Sequence, residues 1–183
     1  SHAFISALQE VPVLALLNAG VELRRHRKVH DELRLLVEAP ATTETELQAL
    51  LEREWWLFGG RYVRRLDRRQ FTAFDQVDFV LERTDQAAHI IELKKANVPR
   101  CVVPHRSHYA VGSELNLAAN QAMNYLRQFD RHESSLRDDF GIDCRRVHAT
   151  VVIGHPIHNA VEGVSAEDFR RTYRGYNSHL SRV

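Results

Sequence analysis

The sequence predicts an α/β fold in which helices flank one mixed β-sheet, in the order helix, three-strand meander, helix, strand. Two observations lead to this fold class. Short apolar runs bounded by polar turns cluster between residues 61 and 95, and another lies at residues 145–154. Stretches with apolar residues at helical spacing lie between and beyond these groups. A helix that connects an antiparallel meander to a further strand implies a sheet with both antiparallel and parallel pairs.

Helical periodicity begins the chain. It covers residues 4–18 and 22–37, with interruptions expected near Pro12 and Gly20, and Pro40 ends the segment. These residues predict an extra helical segment that precedes the main domain.

We therefore divide the 183 residues into two parts, because this length suits one domain with an appended segment. Residues 1–40 form the N-terminal helical segment, and residues 41–183 form the main domain. The main domain begins with "TETELQALLEREWWLFGG", an amphipathic helix that two glycines end. Thr43 is its expected N-cap, and Glu46 stands three residues later as a capping-box partner.

Three strands follow this helix. "RYVRRLDRR" has the charged composition of an edge strand. "QVDFVLER" and "AHIIELKK" are two strands joined by the short polar turn "TDQ", which predicts a hairpin.

The remaining elements alternate between loop, helix and strand. We predict a loop over residues 96–112, because Pro99 and Pro104 interrupt it. A single long helix is expected over residues 113–139 with Ser113 as its cap, followed by the strand at 145–154 and a final helix at 165–180.

The hairpin turn places one polar cluster on the sheet. If the turn is centred near Asp85, residues whose numbers sum to 170 lie opposite each other, so Asp78 faces Glu92. Lys94 falls on the same face, whereas Lys95 falls on the opposite one. Two carboxylates opposite each other repel, so a positive charge is expected between them; Lys94 is one candidate, and a divalent metal is the better one. Mg²⁺ or Mn²⁺ suits two carboxylates and a nearby backbone carbonyl, because these are hard oxygen ligands.

Lysine is rare in this chain, which makes Lys94 informative. Of 25 basic residues, 22 are arginine, and the only lysines are Lys28, Lys94 and Lys95. An ammonium group is a compact charge with an adjustable pKa that can position a water molecule, whereas a guanidinium is planar and permanently protonated. We therefore predict a chemical role for Lys94.

These residues resemble a known nuclease signature. The D-x13-E-x-K pattern after an amphipathic helix resembles the PD-(D/E)XK nuclease superfamily, as does Gln121 with Tyr125 in a Q-x-x-x-Y helix. The resemblance implies a restriction-endonuclease-like fold, and it implies an auxiliary acid at Glu44 or Glu46, with E-x-E-L-x-x-L-L favouring Glu44.

Longer phrases resemble one branch of this superfamily. They are similar to the catalytic domain of Shedu antiphage-defence proteins: "ETELQALLEREWWLFGGRY", "VDFVLER", "HIIELKKA", "SELNLAANQAMNYL", "VVIGHP" and "FRRTYRGYNSHL". The resemblance implies a metal-dependent DNA nuclease that forms a homo-oligomer, a dimer or tetramer, in bacterial immunity. Members of that family continue beyond the last helix, so the nuclease domain is expected to be truncated at its C-terminus.

The implied chemistry is phosphodiester hydrolysis. Asp78 and Glu92 are expected to hold Mg²⁺, for which Mn²⁺ can substitute, and Lys94 to orient water and neutralise developing charge. The resemblance implies that Gln121 hydrogen-bonds a phosphate or a water and that Tyr125 supports it.

Basic residues predict DNA contacts beside this site. Residues 53–69 hold six arginines against two acids, a net charge of +4. A solvated surface is one explanation of such a run, and contact with phosphates is the other. The residues expected to bind DNA are Arg61, Arg64, Arg65, Arg68 and Lys95.

Composition limits the remaining alternatives. A hydrophobic content of 44% with 27% charged residues is typical of a globular protein, and no apolar run is long enough to cross a membrane. Two cysteines form no disulfide framework, which indicates a reducing cytoplasm. Cys101, His105 and His108 have spacings that a zinc site could use. A DNA-binding or sensing module without catalysis, or an oligomeric scaffold, remains an alternative function.

Overall fold

The computed structural model describes residues 13–66 and 77–183. It divides into two compact units, with the boundary between Leu35 and Leu36. Helix α1 spans Val13–Glu38 and passes through Gly20, so the interruption predicted there is wrong. Glycine lowers helix stability by about 1 kcal/mol, which strong neighbouring helix formers outweigh. The predicted boundary at Pro12 lies outside the described residues.

Helix α2 spans Glu44–Arg53 and begins as the sequence predicts. The side chain of Thr43 accepts a hydrogen bond from the backbone of Glu46, and the Glu46 carboxylate accepts from the Thr43 backbone, which completes a capping box. The buried face of α2 consists of leucines. A short 3₁₀-helix at Trp55–Phe58 follows, and Gly59 ends it with a φ of 104°.

Four strands form the main sheet in the order β1-β2-β3-β6. Their bounds are Tyr62–Leu66 for β1, Phe79–Arg83 for β2, Ala87–Leu93 for β3 and Asp143–Val152 for β6. The first three strands form an antiparallel meander, and β6 pairs with β3 in parallel. The mixed sheet and α/β class predicted from the sequence are therefore confirmed.

The predicted hairpin register is confirmed. Phe79 pairs with Ile91, and Val80 pairs with Ile90, so paired residue numbers sum to 170. The turn closes with a hydrogen bond from the Gln86 backbone N–H to the Arg83 carbonyl at 2.9 Å, and Gln86 has a φ of 66°. A left-handed residue at the end of a three-residue turn matches the twist of the two strands.

The loop predicted over residues 96–112 is wrong in one respect. It contains a second, two-stranded sheet, with β4 at Val102–His105 and β5 at His108–Val111. Pro104 lies inside β4, which is possible because a strand of a two-stranded sheet has an edge that needs no N–H donor. The proline therefore restricts the strand to an edge and does not prevent it.

The long helix predicted over residues 113–139 is two helices. Helix α3 spans Ser113–Arg131 and helix α4 spans Glu133–Phe140, with a break at His132. Ser113 is the first helical residue and not the cap, since Gly112 precedes the helix without a side-chain capping bond. The break accompanies core packing, because residues of both helices belong to the same buried cluster.

The final helix and the core complete the fold. Helix α5 spans Ala166–Asn177, and Ser165 caps it with Asp168 in a second capping box. All seven residues of β3 are buried, as expected for a central strand between two neighbours with helices packed on the sheet. Among the described residues, no helix is both long and apolar enough to cross a membrane.

We predict that Gly112→Ala destabilises the protein. A Cβ atom at this position would lie 1.9 Å from the backbone oxygen of Arg100, which a side-chain rotation cannot relieve. We expect a loss of about 2 kcal/mol, or roughly 4–8 °C in unfolding temperature. Gly60→Ala is the control, because no atom of the described part of the chain lies within 4 Å of a Cβ there. Equal melting temperatures for both variants in thermal unfolding would contradict the close approach.

Candidate active site

The polar cluster lies where β2 begins and β3 ends. Asp78 immediately precedes β2, and its Oδ2 accepts a hydrogen bond from the backbone N–H of Leu93 at 2.6 Å. Because β2 and β3 are antiparallel, the start of one strand lies beside the end of the other. The structure therefore brings Asp78 to the same edge of the sheet as Glu92 and Lys94.

Glu92 is the most unusual polar residue of this cluster. Its side chain is only 2% exposed, although charged side chains are rarely buried without full pairing. The Oε1 atom accepts a hydrogen bond from Lys94 Nζ at 2.6 Å. The Oε2 atom is buried and has no hydrogen-bond partner among the described residues. A buried carboxylate oxygen without a donor is costly, and such an atom requires an explanation.

The cluster carries an excess of negative charge. Burial raises the pKa of Glu92, the hydrogen bond from Lys94 opposes this shift, and the charges of Asp78 and Glu44 add to it. Burial alone would lower the pKa of Lys94, but the hydrogen bond to Glu92 and the surrounding carboxylates raise it overall. A negative potential favours protonation of both groups, so the cluster attracts an additional positive charge.

Helix α2 offers one of its two first-turn acids to this cluster. The Glu46 Oε2 atom is engaged by its capping box, accepting from the Thr43 backbone N–H at 2.8 Å and from the Thr43 hydroxyl at 2.7 Å. Those hydrogen bonds lower the pKa of Glu46. Glu44 instead lines a cleft together with Lys94. Of the two candidates for an auxiliary acid, Glu44 is the one near the site.

An open cleft of about 280 Å³ lies beside the cluster. One wall comes from α3, where positions at helical spacing share a face. Lys95 also lines this cleft, so its predicted place on the opposite face is wrong. Strand β3 ends at Leu93, and the alternation of a strand therefore does not extend to Lys95.

Gln121 and Tyr125 are neighbours on α3. The Gln121 amide donates a hydrogen bond to the Tyr125 hydroxyl at 2.5 Å. Tyr125 is buried in the core, whereas Gln121 is exposed and lines the cleft. The buried Tyr125 hydroxyl thus orients the Gln121 amide. Gln121 retains polar atoms that can face a ligand.

The arginines of β1 lie in a different environment. Arg64 pairs with Glu82, and Arg65 pairs with Glu52 at 3.4 Å. Arg61 lies at the opposite end of β1 from the site, because its carbonyl accepts from Thr84 in the hairpin turn. The structure does not bring Arg61 and Arg64 to the cleft, and Arg68 lies outside the described residues.

Several cleft residues were missed by the sequence analysis, Glu114 and Leu117 among them. Glu114 and Leu117 line the cleft, seven and four residues before Gln121. Their spacing from Gln121 was the available signal, because it places all three on one face of a helix. Leu117 is 68% exposed.

A buried polar chain crosses the sheet away from the cleft. The Tyr62 hydroxyl lies 3.2 Å from His89 Nδ1, and His89 Nε2 lies 2.8 Å from the Thr150 hydroxyl. Burial lowers the pKa of His89 to about 4, and the charges of nearby basic residues contribute, so the ring is neutral at neutral pH. With both ring nitrogens engaged, His89 joins three strands of the sheet.

Preformed metal sites built from three side chains are absent from the described residues, counting histidine, cysteine, aspartate and glutamate. The zinc alternative of Cys101, His105 and His108 is therefore not assembled. Cys101 is buried, whereas the two histidines contact each other at the tip of the β4–β5 hairpin.

We predict that Lys94→Met destabilises the protein through Glu92. The change leaves a buried carboxylate without its donor, and we expect a loss of about 2 kcal/mol. In a Glu92→Gln background the same change should cost less than half as much, because no buried charge remains to be compensated. Lys95→Met is the control, since Lys95 is exposed. Chemical unfolding of the four variants and wild type measures this coupling, and equal losses in both backgrounds would contradict it.

Comparison with known proteins identifies the family. A search of curated protein sequences finds no match. A solved structure described as "Structure of EndoMS-dsDNA2 complex" is similar with a TM-score of 0.37 and 17% identity, over 72% of this chain and 41% of that chain. The present chain thus spans less than half of that protein. A family model described as "Shedu protein SduA, C-terminal" matches residues 41–183, well over half of the chain. The chain therefore belongs to the Shedu SduA C-terminal family.

Proposed function

We propose that this chain is a metal-dependent DNA nuclease that hydrolyses phosphodiester bonds in bacterial antiphage defence. The observation that carries the proposal is the buried Glu92 carboxylate, which shares a hydrogen bond with Lys94 and lies in the field of two further carboxylates. An arrangement made only for stability would balance these charges or replace them with apolar groups. Membership of the Shedu family supports the same conclusion.

The donor set fits a hard divalent cation. Glu92 Oε2 is buried without a partner among the described residues, and the surplus of negative charge favours a cation beside it. Asp78 and Glu92 would hold Mg²⁺, with Mn²⁺ as a substitute, because carboxylate oxygens suit both ions. When bound, the cation would neutralise charge on the phosphate and make water a stronger nucleophile.

The residues of the chain itself supply positioning and charge. Lys94 is 28% exposed and its raised pKa keeps it protonated, so its ammonium group can neutralise negative charge that develops on the phosphate. Gln121, oriented by Tyr125, can hydrogen-bond a phosphate oxygen or a water. Glu44 adds to the negative potential of the site. Lys95 can contact the DNA backbone from the same cleft.

Two further properties belong to this proposal. Because the family resemblance implies a homo-oligomer, we propose a dimer or tetramer that acts in the cytoplasm. Mass measurement in solution tests the assembly.

DNA cleavage tests the proposed activity directly. We expect plasmid and linear DNA to be cut with Mg²⁺ or Mn²⁺ and not with EDTA, and Ca²⁺ to support cutting poorly, because in-line attack requires a strict coordination geometry. Glu92→Gln should remove cutting. DNA binding without cutting in every metal would favour a sensing module, and cutting that persists in EDTA would exclude the proposed chemistry.

The two lysines provide a matched pair of variants. Lys94→Ala should abolish cleavage while DNA binding stays within a few fold, because its ammonium contacts Glu92 in the site. Lys95→Ala should weaken binding a few fold and retain cleavage, since it loses one phosphate contact. Gel analysis of products and binding by fluorescence anisotropy separate the two effects. Equal loss of cleavage in both variants would contradict the assigned roles.

The metal proposal also predicts a change in stability without DNA. Asp78→Asn removes one charge and keeps an oxygen that can accept from the Leu93 backbone N–H. In EDTA we expect this variant to be as stable as wild type or more stable by about 1 kcal/mol. In saturating Mg²⁺ wild type should gain relative to the variant, because binding stabilises the folded state. Thermal unfolding in both buffers measures this. A loss of about 2 kcal/mol in EDTA that Mg²⁺ leaves unchanged would indicate an ordinary ion pair.

A further inference from the structure

A second candidate binding surface lies on helix α5. It is a shallow groove of about 360 Å³, which we call the α5 groove. Its lining combines basic, amide and aromatic side chains, and the residues used below are His155, Phe169, Arg170, Tyr173, Arg174 and Asn177. Among the residues that the structure describes, no aspartate or glutamate lines it.

Two arginines give the α5 groove its charge. Arg170 and Arg174 lie one helical turn apart and are both exposed. Within residues 13–66 and 77–183, neither guanidinium has an acidic partner, whereas the adjacent Arg171 pairs with Asp168 at 2.9 Å. Like charges one turn apart repel, so helix stability does not explain this pair.

His155 adds a hydrogen-bond donor to the α5 groove. Its Nδ1 accepts from the backbone N–H of Ile157 at 3.4 Å, so in the neutral ring the proton lies on Nε2. Burial lowers the pKa of His155, the charges of His158 and Arg170 add to this, and Glu38 opposes it. The imidazole is therefore neutral at neutral pH and can donate from Nε2.

The α5 groove begins beside the candidate active site. Strands β3 and β6 are parallel and end at the same edge of the sheet. There the backbone N–H of Lys94 donates a hydrogen bond to the Val152 carbonyl at 2.8 Å. Gly154 N–H donates to the Lys95 carbonyl at 3.0 Å, and His155 is the next residue. A DNA strand leaving the cleft at this edge would therefore meet the α5 groove.

The aromatic residues of the α5 groove favour backbone over bases. Phe169 and Tyr173 stack on each other with ring centroids 4.4 Å apart, and the Tyr173 hydroxyl donates to the Ile153 carbonyl. Phe169 is buried, so it offers no exposed ring face for base stacking. The exposed guanidinium and amide donors of the groove suit phosphate oxygens.

We propose that the α5 groove binds phosphates of the DNA backbone next to the cleaved bond, through Arg170, Arg174 and His155. The proposal rests on the proposed nuclease function and specifies where the substrate runs. It assigns to α5 a contact that the sequence analysis assigned to β1, where Arg64 and Arg65 are already paired with glutamates. Such contacts give affinity without sequence preference.

Salt-dependent DNA binding tests this groove. Binding of a short fluorescent duplex is measured by anisotropy in EDTA, so that no cleavage occurs, at several KCl concentrations. For Arg170→Gln/Arg174→Gln we expect affinity to fall about ten-fold for duplexes of unrelated sequence. The slope of log affinity against log salt should fall by about 2, since each lost phosphate contact lowers it by about 0.9. Unchanged melting temperature shows that the variant is folded.

The matched control removes the same charge elsewhere. Arg137→Gln/Arg145→Gln loses two exposed arginines that pair with Glu133 and Asp143, and it should bind DNA with wild-type affinity and slope. Wild-type DNA affinity of the α5 variant, or an equal loss of DNA affinity in both double variants, would contradict phosphate binding by the α5 groove. Cleavage in Mg²⁺ separates the two proposals. If wild type cuts DNA but the α5 variant binds normally, only the groove is wrong; if binding depends on the groove but nothing is cut, only the nuclease is wrong.

Discussion

The burial of Glu92 is the constraint on which the candidate site depends. Strand β3 is buried along its whole length, so a carboxylate at its sixth position cannot reach bulk water. Its Oε1 atom accepts a hydrogen bond from Lys94, and the charges of Asp78 and Glu44 keep the surrounding potential negative. The fold must therefore supply enough apolar packing to hold an incompletely compensated charge, and packing alone does not explain a carboxylate retained at such a cost.

The rest of the sheet positions this charge. The antiparallel pairing of β2 with β3 brings Asp78 to the end of β3, where its carboxylate accepts from the Leu93 backbone. The parallel pairing with β6 holds the other edge and leads into the loop that carries His155. Helix α3 packs its small residues on β6, so that Gln121 lies over the cleft while Tyr125 is buried beneath it. The site thus combines side chains from separate elements that only the complete sheet aligns.

Local chemistry explains which features the sequence could predict. The capping box at Thr43 and the hairpin register depend on neighbouring residues, and both are confirmed. The β4–β5 hairpin was missed because Pro104 indicates a break, and only the edge position of its strand makes it tolerable. The break at His132 has no glycine or proline to signal it, and the helices on both sides of it contribute to one buried cluster. The position of Lys95 depends on where β3 ends, which alternation alone cannot give.

Arginine and lysine have different uses in this chain, and the difference follows from their chemistry. Several exposed arginines form surface ion pairs with carboxylates. Arg145, for example, donates from two nitrogens of its guanidinium to the two carboxylate oxygens of Asp143. At Glu92 a guanidinium fork would hydrogen-bond both carboxylate oxygens at once. A single ammonium satisfies Oε1 and leaves Oε2 without a hydrogen-bond partner among the described residues. This difference accounts for a lysine at position 94 in a chain whose basic residues are mostly arginine.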